Sequence, residues 1–589
     1  MAEKLTPQQK LAVEDRGGKL LVSAAAGSGK TKVLVDRLMS YLTDSIDPAN
    51  IDDFLIITYT KAAASELRGK ISDKLTAYIA DHPENRHMQQ QIQRLHMAKI
   101  STVHAFRADI LREYAFRLDL SADFRIAEEN ECQEIMHEVL QQFLDEAYTA
   151  RIDDAAFRSF IDTQGLGRDD RQIPEIVLQV YSSALCHLDP DGWLDWCLES
   201  SNVDGLQDAG ETVWGAYLNE DLKTYLSIQI ESLENCIQAA SDIPGLEKPI
   251  TLLSATVHSL RSLQNCSTWD AIVNHPPIEY GTLTFKKEHK GTQLSERIKA
   301  VRNACKEGLS KKLRFFTDTS DIVLLHLHES AESSRGLVDL VKEFRARYDK
   351  VKKNRRVLDF SDIEQKTLDL LLGKRRSGIT TAAEEIGARF REIMVDEYQD
   401  SNEVQDAIFS ALTQNRQNCF MVGDVKQSIY QFRLADPGIF LKKYDAFLPA
   451  GNAQVGEGRK VLLSSNFRSS GGIISAVNDV FSECMSRKVG GLQYGDEEML
   501  REGIPHIPLP DTEVSLFAID VKEDTYQEES TFVAKQIKSL LNGEHLIRQG
   551  DSLRPITADD IVILLRSPGS TGGEFRYALE AAGIACTIS

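Results

Sequence analysis

The chain has 589 residues, of which 42% are hydrophobic and 27% are charged, and its formal net charge is −21. This length exceeds what one hydrophobic core can organise and predicts about three or four compact domains, while the composition excludes a largely disordered protein. The excess of acidic residues argues against a nucleic-acid-binding protein whose whole surface is basic. It does not argue against a local groove lined with Lys and Arg.

Apolar runs and cysteines narrow the class of protein further. The longest apolar run, at residues 20–26, is far shorter than the roughly 20 residues that cross a bilayer. The N-terminus has no signal-peptide pattern, so we expect a cytoplasmic protein without a membrane segment. The nine cysteines include no CxxC pair, which argues against a zinc ribbon, an iron-sulfur site and a disulfide framework.

The first predicted elements are a short strand at residues 19–23, a loop with the sequence AAAGSGKT and an amphipathic helix. Glycines in such a loop let backbone N–H groups wrap phosphates, the lysine reaches the β- and γ-phosphates, and the threonine can ligate Mg²⁺. The first position is alanine where the strict pattern has glycine, and a turn without a ligand is the alternative. The ATP-binding prediction covers Ala24, Ala25, Ala26, Gly27, Ser28, Gly29, Lys30 and Thr31.

A second predicted strand, FLIITYT at residues 54–60, precedes a helix, and this βα alternation predicts a parallel sheet. From about residue 110 to 356 long helical patterns dominate, which indicates a large, mostly helical insertion. Buried strands return in REIMVDEYQD and QNCFMVGDVKQ. The predicted fold is therefore α/β, with a parallel sheet interrupted by helices.

Two acids, Asp396 and Glu397, follow the strand in IMVDEYQD. One carboxylate can hold Mg²⁺ and the adjacent one can orient or deprotonate an attacking water. Paired acids after a strand are common, but together with the phosphate loop they predict an ATP-hydrolysing site.

The segment GDVKQSIYQFR, at residues 423–433, combines a glutamine with two aromatic residues and an arginine. Gln427 is a candidate for contact with the γ-phosphate, whereas Tyr430, Phe432 and Arg433 suit stacking and backbone contact on single-stranded DNA. Packing of the two aromatic rings in the core is the alternative.

Other polar groups follow predicted strands, namely Tyr59 in TYTKAAASE and Thr102 and His104 in STVHAF. These residues are candidates for phosphate and base contacts, and each has a turn or a helix cap as its alternative. The basic stretch FRARYDKVKKNRR, at residues 344–356, is either a DNA path or a solvated helix face.

The last part of the chain contains VLLSSNFRSS near residue 460 and later DIVILLRSPGSTGGEFRYALEAAGIACTIS. These patterns predict a strand, a loop, a helix and an incipient strand, so we expect the chain to end inside a domain. AIDVKED, at residues 518–524, has the Asp-x-Lys pattern of a nuclease core but no second acidic motif nearby, and we assign no nuclease site to it.

Seven segments in chain order resemble the Q motif and motifs I, Ia, Ib, II, III and IV of superfamily-one helicases of the UvrD, Rep and RecB type. ISTVHAF with the following LDLSADFRIAEENE, then LDFSDIE and VKQSIYQFRLADPGIF, are most similar to the AddA branch of this family, which belongs to the AddAB helicase-nucleases. The seven segments are LTPQQ, AAAGSGKT, TYTKAAASELRGKI, STVHAF, VDEYQD, GDVKQSIYQFR and LSSNFRSS.

The resemblance implies roles for individual residues. Gln9 would contact the adenine, Phe467 would stack near the base, and Arg468 would join Gln427 at the γ-phosphate. Lys30, Asp396 and Glu397 would complete the catalytic set, with Thr31 and Asp396 on Mg²⁺. Tyr59, Thr102, His104, Tyr430, Phe432 and Arg433 would face single-stranded DNA.

The resemblance also implies two RecA-like lobes that use ATP and Mg²⁺ to move along DNA. Lobe 1A would comprise residues 1–107 and 354–447, a helical domain 1B residues 108–353, and an incomplete lobe 2A residues 448–589. The expected substrates are single- and double-stranded DNA ends, and the expected partner is an AddB-like subunit. Motifs V and VI and the nuclease domain do not appear, so a stand-alone UvrD-like repair helicase and a truncated ATP- and DNA-binding module without turnover are the alternatives.

Overall fold

A computed structural model describes residues 5–165, 170–414, 417–430, 435–487, 489–509, 512–520, 525–550 and 552–588. The chain divides into two compact units. Met1–Ala122 together with Ile363–Ser589 form unit 1, and Asp123–Asp362 form unit 2. In the described part of the chain, no helix has both the length and the apolar composition that a bilayer-spanning segment requires.

Helices and strands alternate in unit 1, whereas unit 2 is almost entirely helical. The strands are β1 (Leu20–Ala24), β2 (Phe54–Thr58), β3 (Lys99–Thr102), β4 (Arg125–Ile126), β5 (Val357–Leu358), β6 (Glu392–Val395), β7 (Cys419–Gly423), β8 (Leu448–Pro449), β9 (Arg459–Leu463), β10 (Ser465–Asn466), β11 (Arg501–Glu502), β12 (Leu546–Gln549) and β13 (Ser552–Pro555). The helices are α1 (Pro7–Glu14), α2 (Lys30–Leu42), α3 (Lys61–Asp81), α4 (Arg86–Arg94), α5 (Val103–Glu113), α6 (Glu129–Ala150), α7 (Ala155–Gln164), α8 (Gln172–Ala184), α9 (Pro190–Ser200), α10 (Val213–Ala240), α11 (Glu247–Gln264), α12 (Trp269–Val273), α13 (Gln293–Leu313), α14 (Ser320–Arg355), α15 (Phe360–Leu372), α16 (Thr381–Gly387), α17 (Glu403–Thr413), α18 (Pro437–Ala446), α19 (Gly471–Cys484), α20 (Thr525–Leu540) and α21 (Pro568–Ala581).

Unit 1 is built on a seven-stranded sheet in the order β3-β2-β6-β7-β1-β9-β8. Every strand pair in it is parallel. All residues of β1, β2, β6 and β7 are buried, as expected for strands covered on both faces. The predicted α/β fold with a parallel sheet is confirmed, and this sheet includes β9, beyond the predicted end of lobe 1A at residue 447.

Among the described residues of unit 2 there are two hydrophobic cores, each made mainly by helices. In the first, Val341 and Phe344 on α14 pack with Phe143 on α6 and Phe160 on α7. The second lies among α10, α11 and α13. The prediction of a large, mostly helical insertion is confirmed.

Two predicted strands are absent from the part of the chain that the structure describes. The segment DIVILL, at residues 560–565, has no strand, nor do residues 584–588 at the end of the described chain. A strand needs a neighbour for its backbone hydrogen bonds, and Val562 and Leu564 are 77% and 91% exposed. The helix predicted between these two segments is present as α21.

Candidate nucleotide-binding site

The predicted nucleotide-binding residues follow three neighbouring strands of the sheet. The phosphate loop follows β1, Asp396 and Glu397 follow β6, and the predicted Gln427 lies four residues after β7, just beyond Asp424. Strand β7 lies between β1 and β6. Because parallel strands end at the same edge of a sheet, these residues come together where ligands bind in open α/β sheets.

The loop after β1 has the backbone of an anion-binding turn. Gly27 and Gly29 have φ values of 70° and 84°, which only glycine adopts without strain. A Cβ on Gly27 would lie 2.8 Å from Oδ1 of Asn466. Helix α2 begins at Lys30, so its unpaired N–H groups and positive dipole end face the loop. The hydroxyl of Ser28 is buried without a hydrogen-bond partner in the described residues.

A chain of contacts joins the three strand ends. Lys30 Nζ lies 2.8 Å from Oε2 of Glu397. Gln399 donates through Nε2 to the same Oε2 at 2.9 Å, and its Oε1 accepts the backbone N–H of Asp424 at 2.9 Å. Gln427 Nε2 donates to Oδ2 of Asp424 at 2.7 Å. The predicted catalytic residues of the three strand ends thus form one network.

Asp396 has the surroundings of a carboxylate suited to a divalent cation. It is 9% exposed, and burial followed by the negative charge of Glu397 raises its pKa to about 6. Glu397 adopts a left-handed backbone, with φ of 51°, a rare conformation that is found at functional sites. Carboxylate and hydroxyl oxygens are the donors that Mg²⁺ prefers, so Asp396 and Thr31 fit such an ion.

Gln9 ties the first helix to the phosphate loop. It is 3% exposed, its Nε2 donates to the carbonyl of Ser28 at 3.0 Å, and its Oε1 accepts the N–H of Thr6 at 3.0 Å. Gln9 is also part of a capping box with Thr6, which fixes the start of α1. The predicted adenine contact therefore belongs to a side chain that is already held in place.

Asn466, which the sequence analysis did not single out, holds Phe467 and Arg468 against the loop. Its Nδ2 donates to the carbonyl of Ala26 at 2.9 Å, and its Oδ1 accepts the N–H of Arg468 at 2.8 Å. Phe467 N–H donates to the carbonyl of Gly27 at 2.9 Å. The Arg468 side chain is exposed. The buried side-chain amide of Asn466 thus contacts both the phosphate loop and the backbone of a candidate γ-phosphate arginine.

A buried ion pair sets α2 against the sheet. Arg37 on α2 donates to both carboxylate oxygens of Glu392 on β6, at 2.8 and 2.5 Å. Arg37 is 1% exposed and Glu392 3% exposed, and Tyr41 also donates to Glu392 at 3.1 Å. Such a bidentate pair fixes geometry as well as charge. It therefore holds the helix that starts at Lys30 against the strand that ends at Val395, just before Asp396.

The DNA-contact candidates after β2 and β3 are held by neighbours within unit 1. The hydroxyl groups of Tyr59 and Ser401 share a hydrogen bond of 2.6 Å. Thr102 caps α5 by accepting the N–H of Ala105 at 3.3 Å, which matches the helix-cap alternative. Burial, and then the Arg107 guanidinium, lower the pKa of His104. Strands β2 and β3 lie on the far side of β6 from β1, so these candidates lie apart from the phosphate loop.

The structure describes some of the remaining aromatic and basic candidates for DNA contact and not others. Tyr430 is 37% exposed. Phe432, Arg433 and residues 521–524 of the AIDVKED segment lie outside the described residues. Their predicted roles stay predictions.

The basic stretch at residues 344–356 is largely neutralised by neighbouring carboxylates. Arg345, Arg347, Lys352, Arg355 and Arg356 each pair with a carboxylate within unit 2. A charge already paired attracts phosphate weakly, and this disfavours the stretch as a DNA path.

A different segment of unit 2 carries an excess of positive charge. Residues 286–314 contain ten Lys and Arg and three Glu, a net charge of +7. In the described part of the chain, eight of these cations form no ion pair with a carboxylate; Arg302 donates instead to the carbonyls of Tyr280 and Gly281, and the other seven are exposed. The seven are Lys286, Lys287, Lys290, Arg297, Lys306, Lys311 and Arg314.

Comparison with known proteins gives consistent matches. Residues 5–448 match the UvrD/REP helicase N-terminal domain. The chain is 34% identical to the A subunit of the ATP-dependent helicase/nuclease of Pelotomaculum thermopropionicum, over 98% of the chain and 50% of that protein. The proteins of the same name from Clostridium novyi and Bacillus cereus are 34% and 32% identical, over 98% and 95% of the chain and 49% and 47% of the relatives. The chain thus spans about half the length of the curated relatives it matches.

Proposed function

The chain belongs to the UvrD/Rep helicase family, and on that premise we propose that it is the ATP-hydrolysing part of a DNA helicase. We propose further that the helicase is one component of a helicase-nuclease, which unwinds and processes the ends of double-strand breaks for recombination and repair. The relatives, whose names describe one subunit of an ATP-dependent helicase/nuclease, support the second step. An AddB-like subunit is the proposed partner, and single- and double-stranded DNA ends are the proposed substrates.

The observation that carries the proposal is the contact between Lys30 and Glu397, 2.8 Å apart. It joins the phosphate loop to the acids after β6, and the Gln399 bridge extends it to Gln427 after β7. A loop that binds phosphate, an acid beside it and a glutamine from a third strand are the parts that nucleoside triphosphate hydrolysis needs.

ATP and Mg²⁺ are the proposed cofactors. The backbone N–H groups of residues 27–31 and the ammonium of Lys30 would hold the phosphates, while Thr31 and Asp396 would hold the cation. When bound, Mg²⁺ offsets the negative charge that develops on the phosphate oxygens. Gln9 would contact the adenine, with Phe467 beside the base and Arg468 and Gln427 at the γ-phosphate.

In this arrangement Glu397 accepts a proton from the attacking water. For this step the Glu397 carboxylate must be ionised and free of its ion pair with Lys30. Lys30 therefore has to turn from Glu397 toward phosphate when nucleotide is present. Gln399 keeps its bond to Oε2 of Glu397 and thereby holds the carboxylate in position. The Lys30–Glu397 contact therefore corresponds to a resting arrangement of the site.

The domain assignment belongs to the same proposal. Lobe 1A would comprise residues 1–107 and 354–447, domain 1B residues 108–353, and lobe 2A would begin near residue 448. Nucleotide between two such lobes closes them, and hydrolysis reopens them, which drives movement along the strand. Tyr59, Thr102, His104, Tyr430, Phe432 and Arg433 are the proposed contacts to that strand.

The test is ATP hydrolysis by the protein with Mg²⁺, measured with and without single-stranded DNA. Removing one charge that stabilises the transition state costs about 10²–10³ in kcat, so Lys30→Ala should abolish DNA-stimulated turnover. The matched control, Lys10→Ala, makes the same change on α1, where Lys10 is 64% exposed. Turnover that Lys30→Ala leaves intact, or a wild-type protein that binds neither ATP nor DNA, would contradict the proposed function.

A further inference from the structure

A buried ion cluster contacts Gln427 through Asp424. Lys426 Nζ lies 3.0 Å from Oδ1 of Asp424 and 2.9 Å from Oε2 of Glu498. Asp424 is 1% exposed, and the side chains of Lys426 and Glu498 are 9% and 6% exposed. Tyr444 donates a hydrogen bond to Oε1 of Glu498. One lysine thus bridges two buried carboxylates from segments that are far apart in sequence.

The first carboxylate of this cluster holds Gln427. Asp424 accepts Gln427 Nε2 on Oδ2, at 2.7 Å. Its Oδ1 accepts the N–H of Lys426, at 3.1 Å, and caps the single turn Val425–Gln427. The two carboxylate oxygens are therefore divided between the lysine and the glutamine. Any movement of Lys426 changes the position of the acceptor that orients Gln427.

The second carboxylate belongs to a segment anchored on α19. Asn478, on α19, accepts the hydroxyl of Tyr494 at 2.7 Å and the N–H of Leu500 at 3.0 Å. It also donates to the carbonyl of Leu500 at 3.0 Å. Helix α19 begins at Gly471, three residues after Arg468. Glu498 is therefore tied to the helix that follows the candidate γ-phosphate arginine.

The charges favour this arrangement. Burial acts to lower the pKa of Lys426, but the carboxylates of Asp424 and Glu498 raise it above its usual value. The lysine thus stays charged, and two carboxylates share it. Removing one partner of a buried pair leaves an unbalanced charge, which is far more disruptive than the same change at the surface.

We propose that Glu498 is a positioning residue for ATP hydrolysis, which acts through Lys426 and Asp424 to orient Gln427 and links that orientation to the segment carrying Arg468. The inference rests on the proposed function. Glu498 touches neither nucleotide nor metal in this proposal. Its contribution is to fix the position of Gln427 relative to the segment that carries Arg468. The two candidate γ-phosphate contacts, which come from different parts of the chain, are thereby held in one geometry.

The test is a double-mutant cycle in the complete protein, with Glu498→Gln, Gln427→Ala and the combination. Glu498→Gln keeps the shape and removes the charge, and we expect a roughly tenfold lower kcat for DNA-stimulated hydrolysis with little change in KM for ATP. If Glu498 acts through Gln427, the double variant should be no slower than Gln427→Ala alone. Glu497→Gln is the matched control, because Glu497 is the exposed neighbour.

A second readout needs no nucleotide. In the nucleotide-free protein, Glu498→Gln should speed hydrogen exchange of the amides in the turn Val425–Gln427, and Glu497→Gln should not. Glu498→Asp keeps the charge on a shorter side chain and should give an intermediate kcat, which keeps the test usable if Glu498→Gln folds poorly.

Three outcomes would overturn the inference. They are additive losses in the cycle, a Glu498→Gln protein with wild-type kcat and exchange, and losses that follow the melting temperature alone. A wild-type protein without DNA-stimulated turnover would instead count against the proposed function itself.

Discussion

Lys30 and Glu397 form an ion pair of 2.8 Å although 367 positions separate them in the chain. The side chain of Lys30 is 13% exposed and that of Glu397 is 39% exposed. The pair closes the phosphate loop onto the acids after β6. Lys30 is predicted to contact phosphate and Glu397 to activate the attacking water, so the contact must open for catalysis. Variants at these two positions therefore separate binding from chemistry.

Glu397→Gln should leave nucleotide binding nearly unchanged and slow hydrolysis by about 10²–10⁴, the range for loss of a general base. Lys30 remains in place, and the amide still accepts the Gln399 hydrogen bond. Single-turnover hydrolysis and the affinity for a fluorescent ATP analogue are the measurements. Weakened binding with an unchanged rate would contradict the role of Glu397 as the base.

Asp396→Asn should stabilise the nucleotide-free, metal-free protein at neutral pH. Burial raises the pKa of Asp396 to about 6 from 3.8, so the folded state binds the proton more tightly than the unfolded state. The destabilisation of the folded protein by the ionised Asp396 is absent below the unfolded pKa, and it grows as the pH rises to about 6. It reaches about 3 kcal/mol, since one pKa unit is about 1.4 kcal/mol.

Calorimetry of the wild type and of Asp396→Asn, from about pH 4 to about pH 8, checks this prediction, because this range extends from the unfolded pKa of Asp396 to above its folded pKa. The advantage of Asp396→Asn should vanish at the acid end. Asp81→Asn, on the exposed surface of α3, is the control and should show no such trend. A variant less stable than wild type at neutral pH would refute the assignment.

Asn466→Ala should raise KM for ATP and destabilise unit 1. Three backbone groups, on Ala26, Arg468 and Ser469, lose their partner, and each hydrogen bond of this kind contributes about 0.5–1.5 kcal/mol. Asn466→Asp keeps the acceptor and loses the donor, so its effect should be intermediate. Nucleotide titration and melting temperature are the measurements, and an unchanged KM would show that the amide has no effect on the loop.

Lys352→Met should destabilise unit 2 by about 3–5 kcal/mol, because buried carboxylates lose their cationic partner. Lys352 Nζ lies 2.8 Å from Asp359 and from Asp362 and 3.3 Å from Asp349. All four tryptophans of the chain lie in unit 2, so urea unfolding followed by tryptophan fluorescence reports on this unit. The exposed Lys350→Met is the control, and equal effects would refute the prediction.

Charge removal on the segment 286–314 should weaken DNA binding in a salt-dependent manner. We expect a triple variant to lower the slope of log affinity against log salt by about 2–3, since each phosphate contact contributes about 0.9 on duplex DNA. The triple variant combines Lys287→Gln, Lys290→Gln and Lys311→Gln. The control removes the same charge elsewhere in unit 2, at Arg158, Arg335 and Lys350. Equal slopes for the two variants would show that the segment is only a solvated surface.

Local patterns predicted the strands that precede the candidate site, and the structure confirms these strands, while the roles of the site residues stay predictions. The loop with Gly27 and Gly29, and the acids at Asp396 and Glu397, follow apolar strands that local patterns predict. Asn466 was missed because it acts through a backbone carbonyl 440 positions away, and no local pattern encodes that contact.

The same limit applies to buried ion pairs and to some strands. Arg37 and Glu392 are 355 positions apart, and each alone has the pattern of a surface residue. The apolar pattern at residues 560–565 predicts a strand, but strand formation also depends on a neighbour that local sequence does not specify.

The order of strands in the sheet also constrains how the protein is made. Strand β1 pairs only with β7 and β9 among the described strands, so on the ribosome its backbone stays without a sheet neighbour while roughly 400 further residues are added. At about 5–20 residues per second this wait lasts tens of seconds. Unit 2, whose sequence is continuous, emerges in full during that time. Nascent chains should therefore acquire a helical body before the phosphate loop, and β1 stays accessible to chaperones and proteases throughout that wait.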